Sequence, residues 1–137
     1  MNWNPIECLK KHYDTDANGL MARKGFFALD AEQKKDVCNG MGSKSTWWNR
    51  LLYWFIPNKF FGLNMAPIGD RHDFGYTLGG SRWMKMVEDT VFLVNMIIWI
   101  WLAGTHHRKK RLWLAFQYYV AVLLGGKASY TYREVAP

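Results

Sequence analysis

A small all-α fold built around an antiparallel pair of long helices is predicted by three observations. At 137 residues the chain fits one compact domain, residues 1–137. With 50% hydrophobic and 17% aromatic residues, it carries more apolar surface than a disordered chain leaves in water. Apolar residues recur at helical spacing from Arg82 to Gly104 and again from Leu112 to Leu124, with the basic cluster His106-His-Arg-Lys-Lys-Arg111 between them. That order predicts two helices joined by a basic turn.

Residues 1–35 are mixed and polar. Asp30, with Gln33 three positions on, is placed to cap a short helix reciprocally, so a short N-terminal helix and then a loop are expected. Asp14-Thr-Asp-Ala-Asn-Gly19 copies the first half of a calcium-binding EF-hand loop, but the twelfth position is Gly25 rather than Glu. An Asx-type turn is therefore expected there. Cys38-Asn-Gly-Met-Gly42 lacks apolar periodicity, and its glycines let the backbone turn sharply and present its own polar groups. From Trp47 to Phe61, rings and aliphatics dominate the whole circumference, so the segment is buried or enters an oily phase. Pro67 suits the first turn of a helix carrying Asp70, His72, Asp73 and Tyr76; Gly79-Gly80 ends it and Ser81 caps the next. In that next helix Met84, Val87, Val91, Val94 and Ile98 fall at spacings of three and four, and Gly125-Gly126 ends the last one.

Each long apolar run covers about 14 to 16 residues, or about 21 to 24 Å of helix, against a hydrocarbon core of ~30 Å. Glu88, Asp89 and Asn95 raise the cost of insertion further, so a membrane-spanning hairpin is disfavoured. The excess of 18 Lys and Arg over 11 Asp and Glu, a net +7, favours partners with phosphate surfaces. The basic residues are scattered and no nucleic-acid motif is present, so no nucleic acid is expected and a lipid surface is preferred. Two cysteines, Cys8 and Cys38, exclude a dense disulfide framework and leave one bridge open. The first residues lack a basic start followed by an apolar run, so no signal peptide is expected; localisation stays open, with peripheral membrane association anticipated.

Chemistry-bearing groups are densest in Gly69-Asp-Arg-His-Asp-Phe-Gly-Tyr76. On a helix His72 and Tyr76 share a face and Asp73 lies beside it, bringing together a base, a carboxylate and a phenol. Histidine suits general-base work because its ordinary pKa lies near neutrality, and a carboxylate suits a hard cation such as calcium. Calcium takes about six to eight oxygens, more than one Asp supplies, and carbonyls of a glycine loop can provide others.

His72-Asp73-Phe-Gly-Tyr76 resembles the His-Asp-x-x-Tyr signature of calcium-dependent phospholipase A2, and Gly40-x-Gly42 is similar to that family's calcium loop. The stretch most resembles the smaller prokaryotic members. The resemblance implies a small helical phospholipase A2-like domain in which the His-Asp helix packs antiparallel on a second long helix. It further implies that His72 activates a water for attack on the sn-2 ester, that Asp89 orients His72, and that Tyr76 holds Asp89. Ca2+ is the implied cofactor, on Asp73 and the carbonyls of Cys38, Gly40 and Gly42. The implied partner is a phospholipid membrane surface. Trp47, Trp48, Trp54, Phe55, Phe60 and Phe61, with Lys44, Arg50 and Lys59, are candidate interface residues, and burial in the core is their alternative. The chain departs from the family in its two cysteines, in the longer interval between loop and His-Asp pair, and in an apolar final third without counterpart. Several alternatives stay open. Asp89 pairs instead with Lys85 four residues earlier, Glu88 is the orienter, or the basic cluster is a solvated turn. A separate alternative for the whole chain is a non-catalytic membrane-binding or membrane-perturbing protein, for example of phage or bacterial-conflict origin, on the same scaffold.

Overall fold

The computed structural model describes residues 3–37 and 59–134. Helix α1 (Pro5–His12) opens with the Asn4 side chain accepting from the Ile6 amide at 2.9 Å and Pro5 at the first position, and its last turn carries Lys10, Lys11 and His12. It runs straight into strand β1 (Tyr13–Thr15), which pairs antiparallel with β2 (Met21–Arg23), Tyr13 opposite Arg23. Of the EF-hand-like residues, Asp14 and Thr15 lie in β1 and Asp16 to Gly19 form the turn of this hairpin. Asp16 Oδ1 accepts from the amides of Asn18 (2.8 Å) and Leu20 (3.0 Å), an Asx-type arrangement, and its other oxygen pairs with Arg71 at 3.2 Å.

A single 3-10 turn (Phe26–Ala28) leads to α2 (Ala31–Val37), where the reciprocal cap forms: the Gln33 amide donates to Asp30 Oδ1 (2.8 Å) and Gln33 Oε1 accepts from the Asp30 amide (3.0 Å). Strands β3 (Lys59–Phe60) and β4 (Leu63–Asn64) make a second small hairpin. Three longer helices follow: α3 (Ala66–Leu78), α4 (Arg82–Leu102), capped by Ser81, and α5 (Arg108–Gly125). The fold is therefore mainly helical rather than all-α. Two sequence expectations need correction here: residues 13–23 form a hairpin, not irregular loop, and Arg108–Arg111 are the first turn of α5 rather than a free basic turn, with the reversal confined to residues 103–107.

Contacts of α3 with α4 run in opposite sense along the two helices, Tyr76 meeting Asp89 and His72 meeting Phe92, so the pair is antiparallel. Between α4 and α5 the same holds, with Lys85 at Val122 and Phe92 at Tyr118. The main core joins Phe92, Met96 and Ile100 of α4 to Ala115, Tyr118 and Val122 of α5, with Phe60, Met65, Ile68 and Leu20 closing it. Phe60 is fully buried there, which corrects its reading as an interface residue, whereas Lys59 and Phe61 are exposed. Arg111 is drawn into this core because its guanidinium satisfies the carbonyls of Phe60 (2.9 Å) and Phe61 (2.8 Å). A second cluster packs Cys8, a free buried thiol, and Tyr13 on Met84, Val87 and Val91.

Asn95, costly in a lipid setting, has a protein purpose. Its side-chain amide donates to the Met21 carbonyl (2.7 Å) and accepts from the Met21 amide (2.8 Å), docking β2 on α4. Among the described residues, no helix is long and apolar enough to cross a membrane.

The α3–α4 reversal is tied down by the C-terminal segment. Gly79 and Gly80 both sit at positive φ, the Gly80 amide donates to the Thr131 carbonyl (2.9 Å), and the Arg133 amide donates to that of Gly80 (2.9 Å). A Cβ on Gly79 would lie 1.7 Å from the Thr131 carbonyl oxygen. Gly79→Ala is expected to destabilise the chain by about 2 kcal/mol or more, from backbone strain plus displacement of that segment. Gly104→Ala meets open space and is expected to show the backbone strain alone, and the two are compared by urea unfolding.

Candidate functional site

Residues on one face of α3 and one face of α4 build the site, and α5 covers it. His72 sits in the middle of α3, 7% exposed. Its ring stacks on Phe92 (centroids 4.1 Å apart, 19° between planes) and lies 4.1 Å from the ring of Tyr76. Nε2 of His72 is 4.0 Å from Oδ1 of Asp89, proximity without a hydrogen bond. Neither ring nitrogen of His72 has a hydrogen-bond partner among the described residues. Burial, and then the Lys85 charge, lower its pKa to about 3, so the imidazole is neutral at physiological pH.

Asp89, 0% exposed, is gripped on both oxygens. The Tyr76 hydroxyl donates to Oδ1 at 2.5 Å, and the Lys85 ammonium donates to Oδ2 at 2.7 Å and to the Val122 carbonyl of α5 at 3.1 Å. Burial pushes the Asp89 carboxyl above its ordinary range, against the downward pull of the bonds from Lys85 and Tyr76. Burial, and then Asp89, raise the Tyr76 phenol. The pairing with Lys85 at the four-residue spacing thus forms, but inside the protein rather than on a solvated face.

Glu88 does not face His72. One position further round α4, it accepts from the Tyr13 hydroxyl of β1, and its carboxyl lies where a Cβ on Gly75 would stand, 2.2 Å from Glu88 Cδ. Burial raises its pKa to about 8, despite the hydrogen bond from Tyr13 and the Arg23 charge, both of which lower it. Asp73, half-buried on the neighbouring face of α3, lies toward Tyr118: burial and then the Asp73 carboxylate raise the pKa of that phenol. The Tyr118 hydroxyl is buried and has no hydrogen-bond partner among the described residues. Tyr118 meets the Phe92 ring edge-on, with centroids 5.5 Å apart, on the same phenylalanine that His72 stacks against.

The structure therefore brings His72, Tyr76 and Asp89 together. Cys38, Gly40 and Gly42, and the interface candidates Lys44, Trp47, Trp48, Arg50, Trp54 and Phe55, lie outside the described residues. Among the described residues, no group of three or more His, Cys, Asp or Glu side chains is placed to hold a metal ion. Phe92 and Tyr118 escaped the sequence reading as site residues. Phe92 had a signal, since it follows Asp89 by three positions on the same helical face, whereas nothing local marks Tyr118. No family model matches the chain, and neither a curated protein nor a solved structure does.

The buried Glu88 generates a pH prediction. Its folded-state pKa lies above the unfolded value, so the fold binds the extra proton, and the associated stability is present at low pH and lost as pH rises from about 4.5 through about 8. Glu88→Gln keeps an acceptor for Tyr13 without the charge. Its stability relative to the unsubstituted chain is expected to climb across that window, by up to about 1.4 kcal/mol per pH unit. Denaturant unfolding at pH 5 and pH 8 measures this; an unchanging difference between the two proteins would contradict it.

Proposed function

We propose that the chain is a calcium-dependent phospholipase A2-like lipid esterase, cleaving the sn-2 ester of membrane phospholipids with water activated by His72. The observation that carries this reading is a buried imidazole with neither nitrogen partnered among the described residues, 4.0 Å from a carboxylate that Tyr76 fixes in place. A histidine kept for packing alone ordinarily has its ring nitrogens satisfied, and an unsatisfied buried group asks for a ligand or a chemical task.

In this reading His72 takes the proton from the water whose oxygen bonds to the sn-2 carbonyl carbon, and returns it to the lysophospholipid oxygen as the acyl C–O bond breaks and the fatty acid leaves. The ring is neutral at physiological pH, and Asp89 on the Nε2 side leaves Nδ1 as the accepting atom; burial weakens the base, so the Asp89 carboxylate would have to support the imidazolium as it forms. Tyr76 and Lys85 hold Asp89 in that position. Asp73 is a hard oxygen donor of the kind calcium takes; the carbonyls of Cys38, Gly40 and Gly42 would complete the set. Calcium, when bound, supplies polarisation of the ester carbonyl and stabilises the charge that develops there.

The exposed apolar residues Trp83, Met86, Ile97 and Trp101 along α4 favour a second reading, a non-catalytic membrane-binding or membrane-perturbing protein on the same scaffold. Fatty acid release from phospholipid vesicles separates the two. The esterase reading expects release that needs calcium, falls by about 10²–10⁴-fold in His72→Ala, and is lost in Asp73→Asn. Vesicle leakage without fatty acid release, unchanged by either substitution, would establish the second reading instead.

A further inference from the structure

We propose that the tip of the α4–α5 hairpin, with Phe61 beside it, docks on an anionic phospholipid membrane. The use the chain makes of that membrane rests on the lipid-acting reading above, but the docking itself stands whether or not an ester is cleaved. Trp101 and Leu102 end α4 with 55% and 57% of their surface exposed, and Phe61 is 45% exposed.

Each exposed ring carries a cation. The Arg108 guanidinium lies 4.0 Å over the Trp101 ring and donates to the Trp101 carbonyl at 3.3 Å, while the Lys110 ammonium lies 5.5 Å from the Phe61 centroid. Phe61 (φ 50°) and His107 (φ 53°) are, among the described residues, the two non-glycine residues with left-handed backbone, and their rings stack on each other at 5.1 Å. Both unfavourable conformations therefore serve the same exposed aromatic pair. Thr105, His107, Arg108, Lys109 and Lys110 line an open hollow of about 440 Å3 at the tip.

Charge selects the partner's sign. From Thr90 to Arg133 the sequence contains no Asp or Glu, while Arg108, Lys109 and Lys110 crowd the tip. Rings at the boundary between headgroup and acyl chain, with cations against phosphate, are the pattern of an interfacial anchor. A nucleic acid would engage the rings and cations, but Leu102 has no base to stack on and would stay in water.

Sedimentation of the full chain with vesicles tests this, comparing pure phosphatidylcholine with a mixture containing about one third phosphatidylglycerol. Partitioning is expected to favour the anionic vesicles and to drop about thirty-fold in Lys109→Gln/Lys110→Gln, at an unchanged thermal midpoint because both side chains are exposed. Leu102→Ser is expected to weaken binding as well. Equal binding to the two vesicle types, or a double variant that partitions like the unsubstituted chain, would overturn the proposal. So would a DNA duplex that displaces the vesicles at the same salt. His72→Ala is expected to bind as the unsubstituted chain does. Charge-dependent binding without hydrolysis in the unsubstituted chain would end the esterase reading alone, and hydrolysis without charge-dependent binding would end this one alone.

Discussion

One buried carboxylate organises the helical half of the molecule. Asp89 belongs to α4, but its oxygens are held by Tyr76 of α3 and by Lys85, which in turn reaches the Val122 carbonyl of α5. A charge with no solvent exposure is tolerable only when such partners surround it, because desolvation penalises the ionised form. The relative positions of three helices are thereby coupled to the satisfaction of a single group. Apolar contacts alone would tolerate small slips along the helix axes; directional bonds to both oxygens do not.

Single polar side chains elsewhere on α4 and on β2 are used in the same selective way. Glu88 meets Tyr13 and the bare backbone at Gly75, Asn95 meets Met21, and Arg23 reaches from β2 to the Gly79 carbonyl at 3.0 Å. These residues stitch the N-terminal hairpin to the helices where packing by short strands is thin. Gly75 is the enabling position, since any side chain there would occupy the space of the Glu88 carboxyl. The glycine inside the His-Asp-Phe-Gly-Tyr stretch is thus a packing requirement of α3 on α4.

Local signals were legible in the sequence and long-range ones were not. The Asp30 and Gln33 cap, Pro67, the Gly79-Gly80 stop and the Ser81 cap act within a few residues of themselves, and each appears where its chemistry demands. The spacing of His72 and Tyr76, and of Lys85 and Asp89, was equally readable because helical periodicity fixes which side chains share a face. Strands of two or three residues carry too little alternation to announce themselves, so the first hairpin passed as a loop and the second went unread at the end of the aromatic segment. Tyr13 at Glu88, Tyr118 at Phe92 and Arg111 at the Phe60 carbonyl join residues far apart in the chain and leave no trace in spacing. Phe60 read as interfacial for a related reason, since ring content does not distinguish a residue facing the core from one facing outward.

The paired bonds between Asn95 and Met21 bear on solubility. A two-stranded ribbon leaves outward amide and carbonyl groups on each margin, and such a margin can recruit an extended segment from another molecule. By engaging both main-chain groups of Met21, the Asn95 side chain imitates a neighbouring strand and shuts the β2 margin at that residue. A helix thereby blocks intermolecular strand addition there, in a protein whose aromatic content would otherwise favour clumping.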